Sequence, residues 1–181
     1  MKKFIIFFVL ICLNFISAES KIKISRDAVN KTTNEIVIET DWYSFSSEND
    51  KNMPNVHIRF KYEYGIEFIE IKHITNTYIS ILDNQKIIFI KSNNQSAYGN
   101  SLVSTESKIG GGAIHYLGSH NIGISQIYSG DFSWLLFNKP EKIIIQTSYN
   151  DIEIILPKKI QNDIQKLYKL LFKKIENRYG K

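Results

Sequence analysis

Three consecutive glycines, Gly110-Gly111-Gly112, stand just ahead of His115 and Tyr116, with His120 a little further on. These are the residues whose types and spacing most invite a chemical role. A phosphate-binding loop sets its glycines between a strand and the first turn of a helix, so that free backbone N–H groups and the helix dipole meet the anion. The segment that follows here, AIHYL over residues 113–117, prefers strand, and neither a GK[ST] nor a GxGxxG spacing is present. Glycine's tolerance of positive φ accounts for the run as a bend or bulge feeding a strand.

His115 and His120 flank Gly118-Ser119 and would converge on a metal only if Glu106 or Asp131 folded back to join them. A histidine site needs three or more ligands in fixed geometry, and the chain has no HxH or HxxxH spacing, so no metal is assigned. The other histidines, His57 and His73, read as solvated positions of alternating strands. No GxSxG elbow marks a nucleophilic serine. Glu67 and Glu70 cannot share a strand face at their spacing, whereas Asp151 and Glu153 can; glycosidase work would need two carboxylates roughly 5 to 9 Å apart across a cleft. No catalytic residue and no cofactor follow from these patterns.

Aromatic residues are the remaining candidates. Most of them fall on alternating strands, where burying a ring is their simplest use. Trp42 and Tyr43 are different, because neighbours on a strand point to opposite faces and cannot enter one core. The candidate ligand contacts are therefore Trp42, Tyr43, His115, Tyr116 and His120.

The elements that must position these residues begin after an N-terminal segment with its own logic. Lys2 and Lys3 precede an apolar run from Phe4 to Leu13, and a small residue, Ala18, closes the segment. That is the plan of a secretory signal peptide over residues 1–18, its core too short for the roughly 20 residues of a membrane span. Bulky Ile16 before the cut leaves an uncleaved anchor as the alternative. Cleavage would leave one domain over residues 19–181, with no transmembrane span and with 21 basic against 18 acidic residues, a formal charge of +3. Cys12 is the one cysteine of the chain, so a mature protein starting at Glu19 would have no disulfide, thiolate metal site or cysteine nucleophile.

Strand patterns follow in series: Lys21–Ser25, Asn34–Thr40, then Val56, Ile58, Phe60, Tyr62 and Tyr64 in strict alternation with polar residues. Gly65 breaks the run, and Ile69 and Ile71 begin a return strand. Residues 78–82 and 86–91 flank Asp83-Asn84-Gln85 as a hairpin, and polar residues 92–107 read as the longest irregular loop. After strands at 113–117 and 122–128, Ser129-Gly130-Asp131 offers a cap for a short helix over residues 132–137. Strands at 141–147 and 151–156 form a second hairpin. From Lys158 to Arg178 the period changes, with Ile160, Ile164, Leu167, Leu171 and Ile175 forming an amphipathic helical stripe. The fold predicted is mainly β, an antiparallel sandwich or curled meander with a C-terminal amphipathic α-helix over 158–178.

TDW at 40–42, IRFKYEYG at 58–65, IIFIK at 87–91, DFSWLL at 131–136 and IIIQTSYNDIEI at 143–154, taken in order with the closing helix, resemble a loose group of exported bacterial β-rich proteins of unknown function. The resemblance implies the fold and brings no activity, cofactor or site residue. The expectation is an exported protein, periplasmic or secreted, that binds an envelope protein or glycan rather than nucleic acid. An envelope hydrolase acting on a glycan or peptide is the alternative.

Overall fold

The computed structural model describes residues 22–45, 55–75, 78–92, 95–106, 108–109 and 122–179. The N-terminal segment to residue 21 and the glycine-rich stretch with His115, Tyr116 and His120 lie outside the described residues. What is described is mainly β with one C-terminal α-helix, and every strand pairing in it is antiparallel.

The N-terminal strands are β1 (Ile24–Val29), β2 (Ile36–Thr40), β3 (Tyr43–Phe45), β4 (Asn55–Glu63) and β5 (Ile66–Thr75). The β4–β5 hairpin turns at Tyr64 (φ 55°) and Gly65 (φ 76°), a pair of left-handed residues that matches the twist of the flanking strands. β2 and β3 lie end to end along β4, with Asp41 and Trp42 at the break between them. The later strands are β6 (Ser80–Ile81), β7 (Lys86–Ile90), β8 (Ser96–Ser101), β9 (Thr105–Glu106), β10 (Lys108–Ile109), β11 (Ile122–Asp131), β12 (Lys142–Ile145) and β13 (Ile152–Ile155). The main sheet runs β1-β2-β4-β5-β11-β8-β7-β12-β13.

Two expectations need correcting. The segment at residues 78–82 does not pair with 86–91: β6 pairs with β9 in a separate two-stranded sheet, and β7 sits between β8 and β12. Residues 92–107 are not one irregular loop, because β8 lies inside the main sheet between β7 and β11. Its sequence SAYGNS lacks the β-branched residues that mark a strand. It keeps small Ala97, Gly99 and Ser101 on its inward face, where Phe132 takes the space, and a Cβ added at Gly99 would lie 2.7 Å from the Phe132 ring.

Registers define one inner and one outer sheet face. Ile38, Tyr62, Ile69, Ile71, Tyr128 and Phe89 point inward, toward the α-helix α1 (Lys158–Tyr179) and a 3₁₀ helix (Ser133–Leu136). Ile164, Leu167, Tyr168 and Leu171 form the buried stripe of α1, about 33 Å long, which packs on β2, β4 and the 3₁₀ helix. Each fully buried Ile, Leu or Phe contributes about 2 kcal/mol. Phe60 is the centre of this packing, its ring meeting Tyr168 at 5.3 Å and Phe132 at 6.4 Å between centroids. Polar ties fix the helix along its length: Tyr43 Oη donates to Asp163 Oδ2 at 2.8 Å, Tyr168 Oη to Glu67 Oε2 at 2.8 Å, and Arg178 to Asp27 Oδ1 at 2.8 Å. Most of the helix lysines face solvent, but Lys174 also meets Asp27 at 3.4 Å.

Candidate functional site

The described residues form an open groove of about 440 Å³ where β8 and β11 cross beside the 3₁₀ helix. Ser96, Tyr98, Asn100, Asp131, Ser133 and Trp134 supply its side chains. Two glycines, paired across the strands, allow this close crossing. A Cβ on Gly130 would collide with the Tyr98 carbonyl oxygen and lie 2.8 Å from Gly99 Cα, so the backbones can approach only because it is absent.

Antiparallel pairing places Asp131 directly across from Tyr98, with Ile88 on the other side of the ring. Tyr98 is 51% exposed as a residue, and the Lys86 ammonium stands 4.7 Å from its ring centroid. Asp131 Oδ1 accepts the Ser133 main-chain N–H at 2.8 Å, a turn that starts the 3₁₀ helix. Hydrogen bonds from the Ser133 side chain and main chain outweigh burial and hold the Asp131 carboxyl below its usual range. The carboxylate is ionised at neutral pH, with acceptor positions left over on its two oxygens. Trp134 lines the same groove, and its buried indole N–H meets no acceptor among the described residues.

The neighbouring pair Trp42 and Tyr43 splits across the sheet. Tyr43 turns inward, 6% exposed, and its hydroxyl is committed to Asp163. Trp42 lies on the outer face, with the Arg59 guanidinium 4.7 Å and the Lys72 ammonium 4.2 Å from its ring centroid. Around it runs a charged ladder: Arg59 bridges Glu39 at 3.2 Å and Glu70 at 2.6 Å, and Lys61 joins Glu63. Glu39 and Glu70 are nearly buried, and each has a cationic partner, as carboxylates out of water require. Trp42 and Tyr43 therefore belong to no common ligand site. His115, Tyr116 and His120 fall outside the described residues.

The histidines also separate. His57 is half-buried on the outer face, its Nδ1 2.6 Å from Ser44 Oγ, which is the nearest approach to a nucleophile and base in the described residues. No carboxylate bonds its other ring nitrogen there. His73, expected at the surface, is instead 1% exposed: it follows Ile69 and Ile71 at period two and so shares their inward face. Glu67 and Glu70 take opposite faces as their spacing requires. Burial raises the Glu67 carboxyl above its usual range and the Asp131 charge adds to this, against hydrogen bonds from the Tyr168 hydroxyl and the Phe132 main chain.

Among the described residues no group of three or more His, Cys, Asp or Glu is placed to hold a metal ion. No helix among them is long and apolar enough to cross a membrane. In the sequence Asp131 is a cap residue and Trp134 part of the short helix expected over 132–137, while Tyr98 falls in the expected loop over 92–107. Gly99 and Gly130 were the available signal, since glycine inside a strand marks close backbone approach. No protein-family model matches the chain, and no curated protein or solved structure shows significant similarity to it.

Proposed function

We propose that this chain is an exported bacterial envelope protein that binds a ligand without transforming it, and that the groove between β8, β11 and the 3₁₀ helix is its binding site. The carrying observation is the groove's lining. Tyr98 and Trp134 offer ring surface, while Asp131, Asn100, Ser96 and Ser133 offer hydrogen-bonding groups. Such a mixture of aromatic and orienting polar groups suits recognition. Asp131 is the one carboxylate in that lining, whereas acid–base cleavage of a glycan needs two converging on the scissile bond.

Export rests on the pattern of Lys2, Lys3, the apolar run and Ala18. The envelope hydrolase is kept as a second reading by one observation, the 2.6 Å contact between Ser44 and His57.

Both are testable with protein recovered from an expressing bacterium. Intact mass should show a chain starting at or within a few residues of Glu19, in a fraction outside the cytoplasm. That protein should co-sediment with envelope preparations, and Tyr98→Ala should reduce the bound fraction. Release of soluble glycan or peptide fragments, abolished by Ser44→Ala, would overturn the non-catalytic reading in favour of the hydrolase.

A further inference from the structure

We propose that the groove receives a neutral hexopyranose unit of a glycan, with the sugar's apolar face against Tyr98 and its hydroxyls on Asp131, Asn100 and the serines; this rests on the binding reading above. A pyranose ring is amphipathic in a particular way. One face presents C–H groups and the rim presents hydroxyls that both donate and accept. An aromatic face carries partial negative charge that attracts such C–H groups, and half of Tyr98 is accessible to them.

The polar groups around the ring select among ligand classes. Asp131 is directly opposite Tyr98 in the strand pairing, so a ligand lying on the ring has its rim at the carboxylate. An ionised carboxylate only accepts hydrogen bonds, so the ligand must present donors there, and the hydroxyls of a sugar are neutral donors that meet this need. Asn100 and Ser96 lie on the same face of β8 as Tyr98, two residues to either side, and extend the hydrogen-bonding rim along the strand. A wholly apolar ligand would bury these groups without partners, which is costly. An anionic ligand would meet Asp131. A cationic one would meet the like charge of Lys86, 4.7 Å from the ring centroid, whereas a neutral sugar on that face needs only the flexible lysine to swing aside.

Two further features agree with a sugar. The groove's 440 Å³ lies inside the range of about 300–1,000 Å³ usual for small-ligand sites, and it is open, as the end or middle of a longer chain would need. Trp134 brings a second ring and an indole N–H without an acceptor among the described residues.

The chain holds two tryptophans, so Trp42→Phe leaves Trp134 as the sole indole reporter. In that background the emission of Trp134 should change saturably on titration with maltotriose or tri-N-acetylchitotriose, with a Kd of about 0.1–1 mM. Trigalacturonate, the anionic counterpart, should bind at least about tenfold more weakly, a difference of roughly one power of ten in Kd. Tyr98→Ala should weaken the neutral sugars by at least about tenfold, as loss of an aromatic anchor does. Asn100→Ala is the second variant, since it leaves the Asp131 turn intact, and it should weaken them severalfold; far-ultraviolet circular dichroism verifies the fold of each.

A flat titration with both neutral sugars, or an unchanged Kd in Tyr98→Ala, would overturn the proposal. If the titration is flat while Tyr98-dependent co-sedimentation with envelope preparations persists, the saccharide is wrong and the binding reading stands. If co-sedimentation is absent too, both fall.

Discussion

The Tyr168 hydroxyl, projecting from the middle of α1, donates a 2.8 Å hydrogen bond to Glu67 Oε2 near the start of β5. Burial raises the acid's proton affinity, so the fold favours the neutral form of Glu67. With a folded pKa above the unfolded one, the fold binds an extra proton between the two values, and stability falls as pH rises through that window and is level above it. Tyr168→Phe should cost about 1–3 kcal/mol at neutral pH by taking one of the carboxylate's donors and leaving it the Phe132 main chain. Glu67→Gln keeps an acceptor for Tyr168 and removes the charge. It should equal or exceed the parent in stability at pH 7, with the advantage vanishing below the ordinary carboxyl value of 4.5. Urea denaturation at several pH values measures this, and a Glu67→Gln variant less stable at pH 7 than at pH 4 relative to the parent would refute it.

Trp42 acts as a lid on two cations. Its ring covers Arg59 and Lys72 on the outer face, and each such contact contributes about 0.5–1 kcal/mol at an exposed site. Trp42→Ala, which also loses ring burial, should destabilise the protein by about 2 kcal/mol. A double-mutant cycle with Lys72→Ala should return a coupling of about 0.5 kcal/mol or more. Additive effects of the two substitutions would show that Trp42 stabilises by packing alone. Sugar titration of the groove should be unaffected, because Trp42 is not among the residues that line it.

Tyr128 is fully buried, and its hydroxyl has no hydrogen-bond partner among the described residues. Burial raises its proton affinity far beyond the ordinary phenol, so it stays neutral. A buried hydroxyl that makes no bond carries a desolvation cost that phenylalanine avoids at nearly the same volume. Tyr128→Phe should therefore be neutral or stabilising by up to about 1 kcal/mol. Thermal unfolding decides it: a loss above about 1 kcal/mol would mean the hydroxyl has a bound partner, such as a buried water.

The alternation from Val56 through Tyr62 is legible as a half-buried strand because each residue's polarity agrees with the face its parity assigns. The helical stripe from Ile160 to Ile175 is legible for the same reason at period 3.6, and α1 spans Lys158–Tyr179 where 158–178 was expected. At His73 parity overrides polarity: two residues beyond Ile71, it takes the inward face of Ile69 and Ile71 and is buried although its ring is polar. β8 is the opposite case, since nothing local in SAYGNS argues for an interior strand. Its place depends on partners far along the chain, β7 on one side and β11 on the other, and on Phe132 filling the space its small residues leave. The groove was hidden with it, because Tyr98 and Asp131 meet only through a pairing 33 residues apart in sequence that alternation cannot reveal.

That pairing depends on Gly130, which leads to the sharpest stability prediction. The obstruction to a side chain here is backbone, the Tyr98 carbonyl and Gly99 Cα, so no rotamer change can relieve it. Gly130→Ala must push β8 and β11 apart or break their ladder, at an expected cost of about 2–4 kcal/mol. The substitution at the facing glycine differs in kind. A methyl at Gly99 meets mainly the Phe132 ring, a side chain at 2.7 Å, and also the Ser129 carbonyl at 3.1 Å, so part of the clash can relax. Gly99→Ala combined with Phe132→Leu should recover stability relative to Gly99→Ala alone, whereas Phe132→Leu should give Gly130→Ala no relief. Urea midpoints of the four variants test this directly. Equal rescue of both glycine substitutions would show that Phe132, rather than the backbone crossing, sets the spacing of the strands that shape the groove.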